Sequence, residues 1–476
     1  MSTRFGAFLV FVTSFCILVL EILAGRLLAP IIGVSLETFT GIIGTILAAI
    51  AVGTAAGGRL ADRADPAPLV GPTIMAGGAS TWVAPLIVSA LGPVQAADPA
   101  SIVFLTAISF FVPAAILSAV NPMVAKLTLE DLGRTGRTVG NLSAAGTAGA
   151  LAGTFLSGFV FVALFPTRQL ITVIGLALVV AGALLTGWGR LAAQKGWLMI
   201  GFIVGFGAAV IPSPCDAETA YACVQLESDP DRKGGIAVVL NGTRNSYVDL
   251  DDPRYLEFRY MRLFADVTAG LPEGPVDTLH LGGAGFTYPR YLAATRPDST
   301  NLVLEIDEEM VTVAEERLGL VTSPTLAVAT GDARLTIRTL PDDAYDLVVG
   351  DAFSGLTIPW HLTTDRFVQE IDRVLRPGGV VAANLIDGGG VDFARAELAT
   401  YAVHFEHVAL IVPPDGLDHG EPRNLLLIAS NEPLPDIEVD PADGRLLDEE
   451  ATAELVGDAE VLTDDFAPVD QLRRAR

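Results

Sequence analysis

The chain has 476 residues, of which 51% are hydrophobic, and its formal net charge is −25. Residues up to Pro214 contain 10 Lys and Arg against 7 Asp and Glu, whereas the remainder contains 20 against 48. The acidic second part argues against nucleic acid as a partner, because binding phosphates needs a basic face. The three cysteines have no Cys-x-x-Cys spacing, so we expect no structural zinc and no other metal.

Residues 1–213 are predicted to form a polytopic membrane domain of about seven transmembrane helices, which makes the lipid bilayer an expected partner. The first apolar run lacks a small-residue cleavage site after a short apolar core, so we expect a retained span and not a removed signal peptide. Each run has roughly the length that a ~30 Å hydrocarbon core requires, except for the last, which is short. The predicted spans are 5–29, 38–58, 69–92, 101–122, 138–164, 168–188 and 197–212.

The basic residues of this membrane domain fall unevenly on its two sides. With seven spans, only Arg26 and Arg168 lie on one side, and the other side holds Arg4, Arg59, Arg63, Lys126, Arg134, Arg137, Arg190 and Lys195. The positive-inside rule then places the amino terminus in the cytoplasm and the second part outside. One span more or fewer reverses this result, and a cofactor made in the cytosol favours a cytoplasmic second part, so the side stays open.

Cys215 and Cys223 follow the membrane domain and are eight positions apart. A disulfide between them can form only in an oxidising compartment, and two unpaired thiols are the alternative. Residues 214–270 are predicted to form a β-hairpin, whose turn is Asn241-Gly242, followed by a helix from about Arg254 to Ala269.

Residues 271–435 alternate short apolar runs with helix-compatible segments, which predicts a parallel sheet with helices on both faces. We expect strands at 276–281, 301–305, 325–329, 345–350, 379–385, 407–412 and 424–429, the last of them antiparallel. Helices are expected at about 287–296, 308–318, 333–339, 361–375 and 392–403. The predicted fold is therefore a multi-span α-helical membrane domain plus an α/β methyltransferase-like Rossmann domain with a seven-stranded, mostly parallel sheet. Residues 436–476 form an acidic tail that we expect to be poorly ordered except near its ends.

Polar residues gather where these strands end, and ligands of open parallel sheets bind at that edge. They are Gly282, Gly283 and Gly285 after the first strand, Glu305 and Asp307 after the second, Asp332 and Ala333 after the third, Asp351 after the fourth and Asn384 at the end of the fifth. A dinucleotide turn needs a glycine where this chain has Tyr288. A single nucleoside with a charged tail, such as S-adenosylmethionine or its decarboxylated form, fits better. Asp332 can also be read as a helix N-cap.

The stretches that carry these residues make the chain resemble a known family. Residues 219–430 resemble the spermidine synthases, which are aminopropyltransferases, in His280–Phe286, in Asp351–Gly355 and in Leu375–Val380. With its apolar first part, the whole chain resembles the membrane-fused spermidine synthase-like proteins. Their first span similarly carries a Glu and an Arg, and their second ends in a loop like Gly57–Arg63.

The resemblance implies roles for individual residues. Asp351 would be the catalytic carboxylate that orients and deprotonates an amine. Glu305 would bind the ribose, Asp332 the adenine, and Tyr255 would line the amine pocket. The family usually has aspartates where this chain has Gly285 and Ser354. These departures imply that the acceptor differs, that the donor is ordinary S-adenosylmethionine, or that activity has been lost.

We therefore expect a membrane-anchored transferase that moves an aminopropyl group from decarboxylated S-adenosylmethionine to a small-molecule amine. One alternative is an S-adenosylmethionine-dependent methyltransferase. The other is a non-enzymatic membrane transporter or sensor that binds a polyamine or nucleoside. The sequence leaves open whether the protein forms a homo-oligomer.

Overall fold

The computed structural model describes residues 1–32, 36–91, 99–129, 135–187, 213–417 and 421–473. The chain divides into two compact units, Met1–Cys223 and Val224–Arg476.

The first unit is built from apolar helices, with one short strand near its end, β1 (Ala217–Glu218). Turns of π-helix at Ala107–Phe111 and Ser157–Phe161 continue two of the helices. The helices are α1 (Thr3–Ile32), α2 (Leu36–Arg63), α3 (Val70–Thr81), α4 (Val83–Leu91), α5 (Pro99–Thr106), α6 (Val112–Ser118), α7 (Val120–Thr128), α8 (Thr135–Leu156), α9 (Val162–Leu164) and α10 (Thr167–Thr186).

Among the described residues, five helices are long and apolar enough to cross a membrane. They are Thr3–Ile32, Leu36–Arg63, Pro99–Thr128, Thr135–Phe161 and Thr167–Thr186. The predicted span 69–92 is instead two shorter helices, α3 and α4, which are divided at Trp82. The indole of Trp82 donates a hydrogen bond to the backbone carbonyl of Thr172, 3.2 Å away. The predicted span 197–212 lies outside the described residues.

Glycines let the helices of the first unit approach each other closely. A Cβ atom at Gly149 of α8 would lie 2.2 Å from the backbone oxygen of Phe11 in α1, and one at Gly153 would lie 2.5 Å from that of Phe15. Side chains larger than hydrogen would therefore separate these helices, as expected of small residues at helix contacts in membranes. The contact moves from Phe11 to Phe15 in α1 as it moves from Gly149 to Gly153 in α8, so the two helices run parallel.

The second unit begins with an antiparallel meander of three strands, β2 (Cys223–Ser228), β3 (Gly235–Leu240) and β4 (Thr243–Asp249). The β3–β4 hairpin matches the predicted one, and Asn241 and Gly242 at its turn have the positive φ angles that such turns need. Strand β2 was not predicted.

The large sheet of the second unit has the order β12-β10-β11-β9-β8-β5-β6-β7. Strands β5 to β9 are parallel to one another, whereas β11 is antiparallel to both β9 and β10, as expected. The strands are β5 (Asp277–Leu281), β6 (Thr300–Glu305), β7 (Leu326–Thr330), β8 (Tyr345–Gly350), β9 (Leu375–Asp387), β10 (His407–Val412), β11 (Arg423–Ser430) and β12 (Arg445–Leu447).

Helices pack on both faces of this sheet and enclose two apolar cores. They are α11 (Arg259–Gly270), α12 (Thr287–Thr295), α13 (Glu308–Arg317), α14 (Ala333–Thr336), α15 (Asp365–Val374), α16 (Asp392–Tyr401), α17 (Glu449–Val456) and α18 (Val469–Leu472). The five helices predicted between the strands are present, with α14 and α15 shorter than expected.

Two expectations for this unit need correction. The sheet has an eighth strand, β12, and the tail that supplies it is folded through α18. The tail is held because Leu462 is only 1% exposed and because both carboxylate oxygens of Asp464 accept hydrogen bonds from Arg334 at 2.7 Å. The prediction of a poorly ordered tail rested on its acidic composition, which does not reveal these buried and hydrogen-bonded residues.

Candidate active site

The turn after β5 brings the backbone close to the next strand of the sheet. A Cβ atom at Gly282 would lie 2.6 Å from the backbone oxygen of Asp351, and the φ angle of Gly282 is +93°. Ala284 and Phe286 also have positive φ angles, of 43° and 55°. Left-handed backbone is costly for side chains other than glycine and tends to persist where the surroundings impose it. The conformation of this turn is therefore imposed by its close contact with the end of the neighbouring strand.

Glu305, at the end of β6, fixes the shape of that turn. One carboxylate oxygen accepts hydrogen bonds from the N–H groups of Gly283 (2.8 Å) and Ala284 (3.2 Å), and the other accepts one from Asp307 N–H (2.9 Å). Burial raises the pKa of Glu305, while the three N–H donors oppose this rise. Asp307 is itself the N-cap of α13, because its side chain accepts a hydrogen bond from Met310 N–H.

Asp332, at the end of β7, has partners for both of its oxygens. One caps α14 through the N–H groups of Arg334 (2.8 Å) and Leu335 (3.4 Å), as the N-cap interpretation predicts. The other lies 3.1 Å from the Nε2 atom of His361. Ala333 follows as the buried first residue of α14. A ligand that bound to Asp332 would therefore have to share it with His361 or displace that imidazole.

Asp351, at the end of β8, is the best-supported candidate for chemistry. Asn384 Nδ2 donates a hydrogen bond to one carboxylate oxygen (2.8 Å), and the hydroxyl of Tyr260 donates to the other (3.2 Å). Burial raises the pKa of Asp351 from 3.8 to about 6, although both hydrogen bonds lower it. This carboxylate is therefore mostly ionised at neutral pH, but it is close enough to titration to accept a proton.

Two residues that complete this arrangement were missed from the sequence. Tyr260 was passed over because the resemblance matched Tyr255, and not Tyr260, to the tyrosine of the amine pocket. Asn424 of β11 donates a hydrogen bond to Asn384 Oδ1 at 2.9 Å and so fixes which end of that amide faces Asp351. The sequence signal that could have identified Asn424 is a polar residue near the start of an otherwise apolar strand.

Tyr255 and Ser354, which the sequence places at the acceptor pocket, have other partners in the structure. The hydroxyl of Tyr255 donates to Glu257 (2.5 Å), and the guanidinium of Arg232 lies 3.5 Å from the ring centroid. Ser354 is exposed and forms backbone hydrogen bonds with Thr357 across a tight turn. Of the residues predicted for the acceptor pocket, Asn384 is the one that the described structure brings into hydrogen-bond contact with Asp351.

The space beside Gly285 is already filled. A Cβ atom there would lie 2.5 Å from Ser246 Oγ and 2.9 Å from a methyl group of Val248. The hydroxyl of Ser246 lies 3.1 Å from that of Thr287, which donates to the backbone oxygen of Tyr247. An acidic side chain at position 285 would collide with this cluster, so strand β4 accounts for the absence of a carboxylate from the turn.

Comparisons with known proteins agree with this architecture. A methyltransferase domain family matches residues 279–383. The chain is 36% identical over 142 residues to a polyamine aminopropyltransferase of Vibrio vulnificus, covering 29% of this chain and 46% of that protein. It is 26% identical over 147 residues to a polyamine aminopropyltransferase of Chromobacterium violaceum, covering 31% of this chain and 56% of that protein. The chain thus spans about half the length of these relatives.

A solved structure gives a similar result. A probable spermidine synthase from Corynebacterium glutamicum aligns with a TM-score of 0.50 and 27% identity, covering 54% of this chain and 99% of that one. The resemblance predicted from the sequence is confirmed, and the second unit of this chain has the Rossmann-like fold that methyltransferases and spermidine synthases share.

Proposed function

We propose that the second unit is a transferase that moves an aminopropyl group from decarboxylated S-adenosylmethionine to an amine. The observation that carries this proposal is the Asp351 carboxylate, which Tyr260 and Asn384 hold beside the Gly282 turn. A carboxylate there attracts both a sulfonium and an ammonium group. It can also accept the proton that an attacking amine loses.

The donor fits the residues around the turn. Gly282 lets the turn lie close to the backbone of Asp351. Glu305 follows the glycine turn by about 20 residues, the spacing at which a carboxylate commonly binds ribose hydroxyls, and it is held there by the N–H group of Gly283. Asp332 would accept a hydrogen bond from the adenine amino group, with His361 moving aside or sharing the carboxylate. The donor supplies a carbon made electrophilic by its sulfonium.

In the reaction, Asp351 orients the amine nitrogen and takes its proton as the new carbon–nitrogen bond forms and the carbon–sulfur bond breaks. Burial raises the pKa of Tyr260, so its phenol stays protonated and donates to Asp351. Asn384 donates to the other oxygen, and Asn424 fixes the orientation of Asn384. Tyr260 and Asn384 thus hold the carboxylate of Asp351 in one orientation toward the acceptor amine.

A methyltransferase remains the second candidate, and the surroundings of Gly285 favour it. Because Ser246 fills the position where a carboxylate would grip the free amino group of a decarboxylated donor, the turn holds no acid that would repel the carboxylate of ordinary S-adenosylmethionine. The residues around Ser246 therefore reduce the preference of this turn for the decarboxylated donor over S-adenosylmethionine.

Calorimetric titration of the full-length protein with each donor separates these candidates. Tighter binding of the decarboxylated donor, together with transfer of its aminopropyl group to putrescine or another diamine, is the expected result. Tighter binding of S-adenosylmethionine with methyl transfer would instead support the second candidate. Asp351→Asn should abolish the transfer, and Asp458→Asn is its matched control, because the side chain of Asp458 is fully exposed.

A further inference from the structure

Contacts within the first unit define two opposite ends of its helices. At the first, which we call the basic end, the amino group of Met1 donates to the backbone oxygen of Leu127 (3.2 Å). The ammonium group of Lys126 donates a hydrogen bond to the backbone oxygen of Ala61. The start of α1 and the ends of α2 and α7 therefore meet at this end.

At the other end, which we call the loop end, residues 215–223 lie against α1 and α10. Arg26, near the end of α1, donates to the backbone oxygens of Thr219 and Ala220. The carboxylate of Glu218 accepts a hydrogen bond from Thr167 N–H, at the first residue of α10 (2.9 Å). Glu218 and the first residue of α10 therefore lie at the same end of the helices.

The two ends are separated by about the thickness of a bilayer. Arg4 and Arg26 are 22 residues apart in one helix, which corresponds to about 33 Å at 1.5 Å per residue. The hydrocarbon core of a membrane is about 30 Å thick. When α1 crosses a bilayer, the basic end and the loop end therefore lie at opposite faces.

The distribution of basic residues orients these ends. Among the described residues of the first unit, the loop end carries only Arg26 and Arg168, and the basic end carries Arg4, Arg59, Arg63, Lys126 and Arg137. Arg137 belongs to the basic end because α8 runs parallel to α1 and starts beside it. The positive-inside rule places the basic end in the cytoplasm.

A second, independent observation concerns the loop end. Cys215 and Cys223 are joined by a disulfide, with their Cα atoms 5.2 Å apart, and this bond encloses the residues that contact Arg26 and α10. Disulfides persist in oxidising compartments and are rare in the cytosol. Charge and redox chemistry therefore assign the loop end to the same side.

We propose that the loop end faces the extracytoplasmic space and that the chain enters its second unit, directly after Cys223, from that side. The assignment follows from contacts and not from counting spans, so it does not change with the number of crossings between residues 187 and 213. The topology has a consequence for catalysis that rests on the proposed function. The transferase would draw its amine acceptor from the extracytoplasmic space, and an export step would have to supply the adenosyl sulfonium donor.

Thiol labelling of the full-length protein in intact bacterial cells tests this topology. Val321→Cys places a thiol at a site of the second unit that is 77% exposed, and Asp62→Cys places one at the exposed basic end. A membrane-impermeant maleimide should label Val321→Cys in intact cells and Asp62→Cys only after the cells are permeabilised. Labelling of Val321→Cys only after permeabilisation would overturn the proposal.

The wild-type protein provides the redox readout. After denaturation without reductant, Cys215 and Cys223 should resist a maleimide, and reduction should expose two further thiols. Cys16 alone should react before reduction, and three reactive thiols at that stage would contradict the oxidised loop end. Neither readout needs turnover, so an inactive protein with the expected labelling would refute only the proposed function.

Discussion

The substitution Asp351→Asn should inactivate the protein and stabilise it at neutral pH. The folded state raises the pKa of Asp351 from 3.8 to about 6, because burial disfavours the charged carboxylate. The folded protein therefore binds this proton more tightly than the unfolded chain does. The resulting stabilisation is complete below about pH 4, in line with the unfolded pKa, and is lost as the pH rises through about 6.

Above that pH, ionised Asp351 lowers the free energy of unfolding relative to a neutral side chain. A shift of about 2 pKa units corresponds to about 3 kcal/mol, and this is an upper limit because the carboxylate keeps some exposure to water. Asparagine has similar volume, cannot ionise, and can still accept the hydrogen bond from Asn384. Asp351→Asn should accordingly raise stability by up to about 3 kcal/mol at about pH 8.

Thermal unfolding of the full-length protein in detergent, followed between about pH 4.5 and 8, measures this effect. The melting temperature of Asp351→Asn should exceed that of the wild type at high pH, and the difference should shrink as the pH falls. Transfer activity should drop by about 10²- to 10⁴-fold, the usual contribution of a general base. A variant that was destabilised equally at every pH would refute the reasoning, and Asp458→Asn should change neither property.

Two further predictions concern the neighbours of Asp351 and Gly285. Asn384→Ala removes a hydrogen bond that lowers the pKa of Asp351, so the acidic limb of kcat/KM against pH should move upward by about 1 to 2 units, and an unchanged limb would argue against Asp351 as the base. Gly285→Asp should destabilise the protein by about 1 to 3 kcal/mol through its collision with Ser246, as measured by thermal unfolding. Adding Ser246→Gly should recover part of this loss, and no recovery would place the strain elsewhere.

The arrangement of the strand ends could be predicted because each lies within one local pattern. An apolar run followed by glycines or an acid marks a buried parallel strand and its carboxyl end, which locates Glu305, Asp332 and Asp351 without any tertiary information. Helix starts are less certain, because caps and irregular turns decide them. The helix predicted from about Arg254 begins at Arg259, five residues later.

Contacts that depend on strand pairing could not be derived from the sequence. Asn424 reaches Asn384 because β9 and β11 pair with Leu426 opposite Asn384, which places the two amides diagonally on one face. Ser246 reaches Gly285 only because the meander lies against the turn after β5. Both contacts join residues about 40 positions apart, and no local periodicity encodes them.

Strand β12 has a consequence for where this chain can be shortened. It pairs with β10 through Leu446 and Leu447 and so covers an edge whose residues Ala409 to Val412 are buried. Removing the chain after Ile437 would leave this apolar edge with unpaired N–H and C=O groups, and such edges recruit strands from other molecules. The acidic carboxyl-terminal segment thus protects the second unit from self-association, and a shortened protein should precipitate at concentrations that the full chain tolerates.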